Sequence, residues 1–418
     1  MEDPFIAAKY CHVCALGEVS EASDSLKFCP SCCTLLVSYE ESLIRHYFSK
    51  GFQYKSIIQM LDKRHGIKMC ERTLRSRLSA FGLSRRLPQY ELNEVRNLIA
   101  NELDGPGCMG GYRTTWHTLR MEGMQAPRRI VEGIVRELDP EGCELRQRRR
   151  LRRRKYRTPG PNYVWHLDGY DKLKPFGFPI HGCIDGWSRK LMWLKVARSN
   201  NKPEIPGGFF LECVQEYGGS PVRVRSDCGT ENGIISAMQC HFQGNADAHI
   251  YGKSPANQRI EGWWSFYRRN RSTWWINYFK DLIEQEIFNP GNPMEEEALW
   301  FCFSTLIQID LDHVKDHWNS HRIRNSGHST IPGIPDELYF LPENNGGEDG
   351  LLKAVSTEEI QLVADNLLQC NEEENDYQDY FKYVIANSSF QIPNDWREAE
   401  ELFKELVINR IIIIMCKE

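Results

Sequence analysis

The sequence predicts a mixed α/β core between residues 161 and 340, with helical segments on either side and a small cysteine-rich N-terminus. Three observations support this fold class. Short, aromatic, β-rich runs begin at residue 163 and are followed by alternating strand and helix patterns. Apolar side chains in residues 40–87 recur at helical spacing. Four cysteines near the N-terminus form two C-x-x-C pairs, the spacing of a small metal-bound unit.

The length of 418 residues and the hydrophobic content of 41% allow a sizeable core and suggest two or three domains. We predict these segments: a zinc-binding segment at 1–38, a helix-turn-helix at 39–87, a second, helix-turn-helix-like helical segment at 88–145, a basic linker at 146–160, the α/β core with C-terminal helices at 161–340, and an acidic helical tail at 341–418. No run of 18 apolar residues is present and the first residues lack a secretory signal, so we expect no membrane contact and an intracellular protein with reduced cysteines.

Charge is distributed unevenly along the chain. Residues 1–160 contain 28 Lys and Arg against 19 Asp and Glu, which favours an anionic partner such as DNA. Residues 341–418 contain 6 Lys and Arg against 17 Asp and Glu. We expect this acidic tail to be a solvated or partner-binding segment.

The predicted core contains strand patterns that end in acidic residues. The four runs that read as strands are YVWHLDGY, FPIHGCIDGW, LMWLKVA and VRVRS. Asp168 ends the apolar stretch YVWHL of the first run and precedes Gly169, and Asp227 comes directly after VRVRS, while Glu261 lies in a predicted helix that begins near SPAN. Asp185 precedes a glycine and is predicted to form a turn. Glu231 is predicted to lie at a helix start.

Acids at strand ends on one edge of an α/β sheet lie where such folds bind ligands. Asp168, Asp227 and Glu261 would repel each other there unless a cation lay between them. Hard carboxylate oxygens select Mg²⁺ or Mn²⁺. We therefore predict a metal site built from these three residues, with Gly229 allowing the chain to turn away from it.

In these residues the chain resembles the integrase core of retroviral and retrotransposon integrases and of related D-D-E transposases, which has an RNase H-like fold. Asp168 corresponds to the first aspartate of that family, and Asp227 to the second, within SDCGTEN. Glu261 corresponds to the glutamate, with 33 residues between it and Asp227. The resemblance covers roughly residues 160–270. Asn257 lies one turn before the glutamate, as in the family.

The resemblance implies a polynucleotidyl transferase, or endonuclease, that cuts and joins DNA phosphodiesters with two Mg²⁺ or Mn²⁺ ions. Asp168 would bridge the two ions, and Asp227 and Glu261 would each hold one. Arg268, two turns after Glu261, is a candidate phosphate ligand. The resemblance further implies a transposon-derived protein that acts as a homo-oligomer on DNA ends.

The N-terminal cysteines form the pattern C-x2-C-x14-C-x2-C. The four residues of this pattern are Cys11, Cys14, Cys29 and Cys32. Four thiolates at such spacing close a tetrahedral Zn²⁺ site, and the metal replaces the core that so small a segment lacks. We therefore predict one structural Zn²⁺ ion, the alternative being four unligated cysteines.

Residues 40–87 read as three short helices and resemble a helix-turn-helix. Residues 71–81 place Leu74, Leu78 and Phe81 on one side. The opposite side presents the candidate DNA-binding residues Arg72, Arg75, Ser76 and Ser79. Such a helix suits the major groove of DNA, although a solvated face of a small bundle has the same pattern.

Residues 146–157, RQRRRLRRRKYR, form a strongly basic run without an acidic residue. Such a run suits DNA phosphates, a nuclear localisation signal, or both, so we expect a nuclear protein if the source is eukaryotic. The candidate DNA-binding residues here are Arg148, Arg149, Arg150, Arg152, Arg153 and Arg154.

Two other functions fit the same pattern. One is a domesticated DNA-binding protein whose integrase-like core is a catalytically inactive scaffold. Two departures from the family pattern beside the acidic motifs favour it: Cys228 stands where the family commonly has Asn or Arg, and Gln258 where it usually has Gly. The other is a nuclease for RNA/DNA hybrids, which shares the fold but has no need of a helix-turn-helix. The complete set of three acids favours the integrase-like enzyme.

Overall fold

A computed structural model describes residues 37–85, 90–147, 158–252, 257–325, 331–367, 376–388 and 390–415. The predicted zinc cysteines Cys11, Cys14, Cys29 and Cys32 lie outside these ranges. The six arginines of the basic run, from Arg148 to Arg154, also lie outside them. Within the described residues, no helix is long and apolar enough to cross a lipid bilayer.

The core contains a five-stranded mixed sheet with the strand order β3-β2-β1-β5-β6. Its strands are β1 (Val164–Tyr170), β2 (Ile180–Asp185), β3 (Leu191–Val196), β5 (Arg223–Ser226) and β6 (His249–Tyr251). A separate pair joins β4 (Gly219–Ser220) to β7 (Lys353–Ala354). Strands β1, β2 and β3 are antiparallel, whereas β1, β5 and β6 run parallel. This topology confirms the predicted mixed α/β core, which is consistent with an RNase H-like fold.

The hairpin between β2 and β3 depends on Asp185, which is completely buried. Its carboxylate accepts hydrogen bonds from the backbone N–H groups of Asn162, Trp187 and Ser188 and from the Ser188 hydroxyl, at 2.6 to 3.1 Å. Burial raises the pKa of Asp185, although these donors oppose the rise. The predicted turn is present at Asp185, and its carboxylate is a structural group rather than a site residue.

Successive side chains of each strand point to opposite faces of the sheet. Both faces carry apolar side chains, and helices cover both. The helices are α1 (Tyr39–Ser49), α2 (Tyr54–His65), α3 (Glu71–Ala80), α4 (Leu92–Leu103), α5 (Tyr112–Met121), α6 (Arg128–Leu138), α7 (Pro140–Gln147), α8 (Glu204–Tyr217), α9 (Gly233–Gln243), α10 (Gln258–Tyr267), α11 (Thr273–Glu284), α12 (Pro293–Ser320), α13 (Pro335–Phe340), α14 (Thr357–Leu367), α15 (Asp376–Ala386) and α16 (Trp396–Met415). On one face, Trp165 and Leu167 of β1 pack in a cluster with α8 and α9. On the other, Tyr170 packs with α10, α11 and α12.

The first three helices form a small unit that packs on the core. Leu43, Ile57, Leu74 and other apolar side chains of this unit are buried, together with Ile334 and Leu341 beside α13. Helices thus occupy the predicted helix-turn-helix segment. Only Leu74 and Leu78 of α3 are buried, so its polar side chains are exposed.

The second helical unit, α4 to α7, is joined to the core by a buried ionic bridge. Arg271 donates to Glu102 of α4 at 2.8 Å and to Asp310 of α12 at 2.7 Å. Burial alone would lower the pKa of Arg271, but Asp310 and Glu102 raise it. Arg271 belongs to a π-helical segment, Arg268–Ser272, that directly follows α10. The second unit therefore contacts the core at the end of the helix that carries Glu261.

The acidic tail differs from the predicted solvated segment, because its described helices pack on the core. Strand β7 pairs with β4, and Ile360 of α14 packs in the cluster beneath α8. Phe381 of α15 and Phe403 of α16 are completely buried against α11 and α12. The acids lie between these apolar positions along the chain. The tail helices are therefore amphipathic, with an acidic outer face and an apolar inner face. Its high net charge concealed that apolar face.

Candidate active site

Asp168 lies near the end of the central strand β1, opposite Gly182 of β2. Its neighbours Leu167 and Trp165 pack beneath α8, which leaves Asp168 on the face covered by α10. The indole Nε1 of Trp264 in α10 donates a hydrogen bond to Asp168 Oδ2 at 3.1 Å. The carboxylate is partly buried at the junction of strand and helix.

Asp227 directly follows β5, the parallel neighbour of β1. The strands pair His166 with Arg225, and continuing this register by two residues places Asp227 beside Asp168. Asp227 Oδ1 accepts hydrogen bonds from the Gly229 backbone N–H at 3.2 Å and from Asn232 Nδ2 at 3.0 Å. On this register the two aspartates lie on the same edge of the sheet.

Glu261 lies in the first turn of α10, whose N-terminus is anchored to β1 by Asn257. The Asn257 side chain donates to the Leu167 carbonyl at 2.8 Å and is hydrogen-bonded to His166 Nδ1 at 2.7 Å. Burial lowers the pKa of His166 to about 3, so the imidazole is neutral at pH 7. Asn257 is one turn before Glu261, as predicted, and its buried amide connects α10 to the residues that precede Asp168.

The three carboxylates interact electrostatically. Burial, followed by the negative charges of Glu261 and Asp227, raises the pKa of Asp168 from 3.8 to about 7. The folded protein therefore retains a proton on Asp168 that the unfolded chain releases near pH 4. This contribution reduces folding stability as the pH rises from about 4 to 7. A cation at the site would oppose this rise, because its positive charge favours the ionised carboxylate.

The chemistry of this donor set fits a divalent cation, because three carboxylates supply hard, negatively charged oxygen ligands. Among the residues described, however, no three His, Cys, Asp or Glu side chains are arranged as a ready metal cluster. Asp168 and Asp227 are instead hydrogen-bonded to Trp264 and Asn232. The three acids are close enough to interact electrostatically. Protein hydrogen-bond donors nevertheless bind the carboxylates of Asp168 and Asp227.

Sequence reasoning missed three residues that shape this site. Asn232 supports Asp227, and Trp264 supports Asp168. A Cβ on Gly182 would lie 2.9 Å from the Trp264 ring, so glycine makes room for the indole. SDCGTEN indicated the region of Asn232, but nothing in the sequence linked Trp264 or Gly182 to Asp168.

Two predicted roles near Asp227 are modified by the structure. Gly229 has φ of −69°, a conformation open to any residue, but a Cβ there would lie 1.9 Å from the Glu231 carboxylate. A larger residue at this position would require the Glu231 side chain to move. Glu231 lies in the short 3-10 helix Thr230–Asn232 that precedes α9, close to its predicted place at a helix start.

The described candidate DNA-binding residues are exposed. Arg72, Arg75, Ser76 and Ser79 lie on the outer side of α3, as their spacing predicts. The Arg75 guanidinium donates a hydrogen bond to the Glu71 carboxylate at 2.6 Å and lies over the Tyr54 ring. Arg268, at the start of the π-helical segment, is also exposed. These positions are accessible to a polyanion, and their role in binding stays a prediction.

Comparison with protein families supports the assignment of the core. Residues 155–341 match the family model described as the integrase core domain. This segment includes the five-stranded sheet, all three acids and helices α8 to α13. No curated protein matches the sequence significantly.

Proposed function

We propose that this integrase-type core cuts and joins DNA phosphodiesters, as a D-D-E polynucleotidyl transferase. The observation that carries the proposal is the electrostatic coupling of the three acids: burial, followed by the negative charges of Glu261 and Asp227, raises the pKa of Asp168. Strongly perturbed carboxylates at a sheet edge are typical of functional sites. The match of residues 155–341 to the integrase core domain supports the same reaction class.

Asp168, Asp227 and Glu261 would hold the divalent cations, Mg²⁺ or Mn²⁺. Such ions supply a metal-activated oxygen nucleophile and stabilise the leaving oxygen of a phosphodiester. The protein's own contribution is the placement of the three acids. Asn232 holds Asp227, and Asn257 fixes the start of α10 so that Glu261 faces the strand ends.

DNA is the proposed partner. The exposed polar side of α3 and the basic run at 146–157 would neutralise phosphates, and the second helical unit would contribute further contacts. The ionic bridge at Arg271 holds that unit beside α10, so DNA bound there would lie close to the three acids. Zinc bound by the N-terminal cysteines and a homo-oligomer on DNA ends belong to the same proposal.

A second candidate is a DNA-binding protein with an inactive integrase-type core. The observation that favours it is the occupation of Asp168 and Asp227 by protein hydrogen-bond donors, without a ready cluster of ligands among the described residues. In this case the same acids would serve only to shape the core.

Incubation of the purified full-length protein with supercoiled DNA and either Mg²⁺ or Mn²⁺ separates the candidates. The enzyme should nick the plasmid and join a labelled DNA end to it, and EDTA should stop both reactions. Binding to DNA without nicking or joining would favour the inactive scaffold. Cleavage of an RNA/DNA hybrid alone would instead indicate a hybrid nuclease.

A further inference from the structure

Trp264 of α10 donates a hydrogen bond to a carboxylate of the site. Its Nε1 lies 3.1 Å from Asp168 Oδ2, within ordinary hydrogen-bond distance. The ring is buried, with 5% of its surface exposed, and packs against Tyr170 with 5.0 Å between ring centroids. The indole therefore approaches Asp168 from a fixed position in the core.

The opposite strand leaves space for this approach. Gly182 is paired directly with Asp168 across β1 and β2. A Cβ on Gly182 would lie 2.9 Å from Trp264 Cη2, and real Cβ atoms do not come so close to a ring. Any side chain at position 182 would therefore push the indole away from its place beside Asp168.

The preceding residue, Trp263, provides a natural comparison. It is equally buried, with 2% of its surface exposed, and its ring stacks on Tyr267 at 5.4 Å between centroids. Its Nε1, however, has no hydrogen-bond partner in the described structure. Two adjacent tryptophans thus have similar packing but differ in whether their N–H group contacts a carboxylate of the site.

We propose that Trp264 is a positioning residue that orients the Asp168 carboxylate for cation binding. A hydrogen bond to one oxygen restricts rotation of the Asp168 carboxylate and so fixes the direction in which its other oxygen can approach a cation. Donors around metal-ligating carboxylates are known to tune metal affinity in this way. The inference rests on the proposed function, because it requires that the three acids bind a divalent cation.

The test compares Trp264→Phe with Trp263→Phe in the full-length protein. Each substitution removes similar ring area, so both should lower the metal-free melting temperature; Trp264→Phe also removes a hydrogen bond, so its melting temperature should fall further. Mn²⁺ affinity is measured by calorimetry under one set of conditions for both variants and the wild type. Trp264→Phe should weaken Mn²⁺ binding about tenfold, whereas Trp263→Phe should change it less than about twofold.

Gly182→Ala provides an independent variant, which displaces the Trp264 ring without removing its N–H group. It should weaken Mn²⁺ binding in the same direction as Trp264→Phe, and it replaces that variant if Trp264→Phe does not fold. Equal Mn²⁺ affinities in Trp264→Phe and Trp263→Phe would overturn the positioning role while leaving the metal site intact. Wild-type protein that binds no Mn²⁺ would overturn the proposed function and this inference together.

Discussion

Asp227→Asn should reduce metal-dependent DNA cleavage at least about a thousandfold, since the lost metal ligand accounts for several kcal/mol of transition-state stabilisation. Asparagine retains an oxygen that accepts the hydrogen bonds from Gly229 and Asn232, so the loop should keep its shape. Folding and DNA binding should therefore remain intact. Plasmid nicking rates, measured with thermal unfolding and DNA-binding curves, check the three expectations.

The matched control is Asp247→Asn, an exposed aspartate in the turn before β6. This variant should nick DNA at the wild-type rate. Asp185→Asn would not be a suitable control, because the buried Asp185 carboxylate accepts four hydrogen bonds. Wild-type nicking by Asp227→Asn would contradict the catalytic assignment.

Arg271→Met should destabilise the protein by about 3–5 kcal/mol, because it leaves two buried carboxylates without their cation. Glu102 and Asp310 are 14% and 8% exposed in their side chains, so water cannot replace the guanidinium effectively. The expected result is a lower urea midpoint, with α4 to α7 separating from the core. Urea unfolding followed by circular dichroism measures the change.

Arg269→Met is the matched control in the same π-helical segment. Its exposed side chain donates only to the Ser265 carbonyl among the described contacts, so the variant should lose less than about 0.5 kcal/mol. Similar losses in both variants would show that the bridge from Arg271 to Glu102 does not hold the second unit on the core.

The predicted strands and the three acids could be found from sequence because each depends on local pattern. The β-rich runs YVWHL and VRVRS are each followed directly by an aspartate. The number of residues from Asp227 to Glu261 can also be read directly from the sequence. Helices α1 to α3 show the apolar periodicity that their buried face requires. The short strand β6 was missed, because three residues are too few to show alternation.

The remaining features depend on contacts between distant parts of the chain. Trp264 lies 96 residues from Asp168, and Arg271 lies 169 residues from Glu102. An arginine after the helix that carries Glu261 and a tryptophan within it have no signature that identifies their partners. The packing of the tail against the core was concealed in the same way, because the acids between its apolar residues dominated its composition.

The central claim is that Asp168, Asp227 and Glu261 together bind two divalent ions. Crystals of the full-length protein soaked in MnCl₂ allow the ions to be located directly by their anomalous scattering. The account predicts two Mn²⁺ peaks, each coordinated by carboxylates of this set, with Asp168 contacting both and roughly 4 Å between the ions. A well-ordered core with no Mn²⁺ bound by these three residues, or with a single ion, would contradict it.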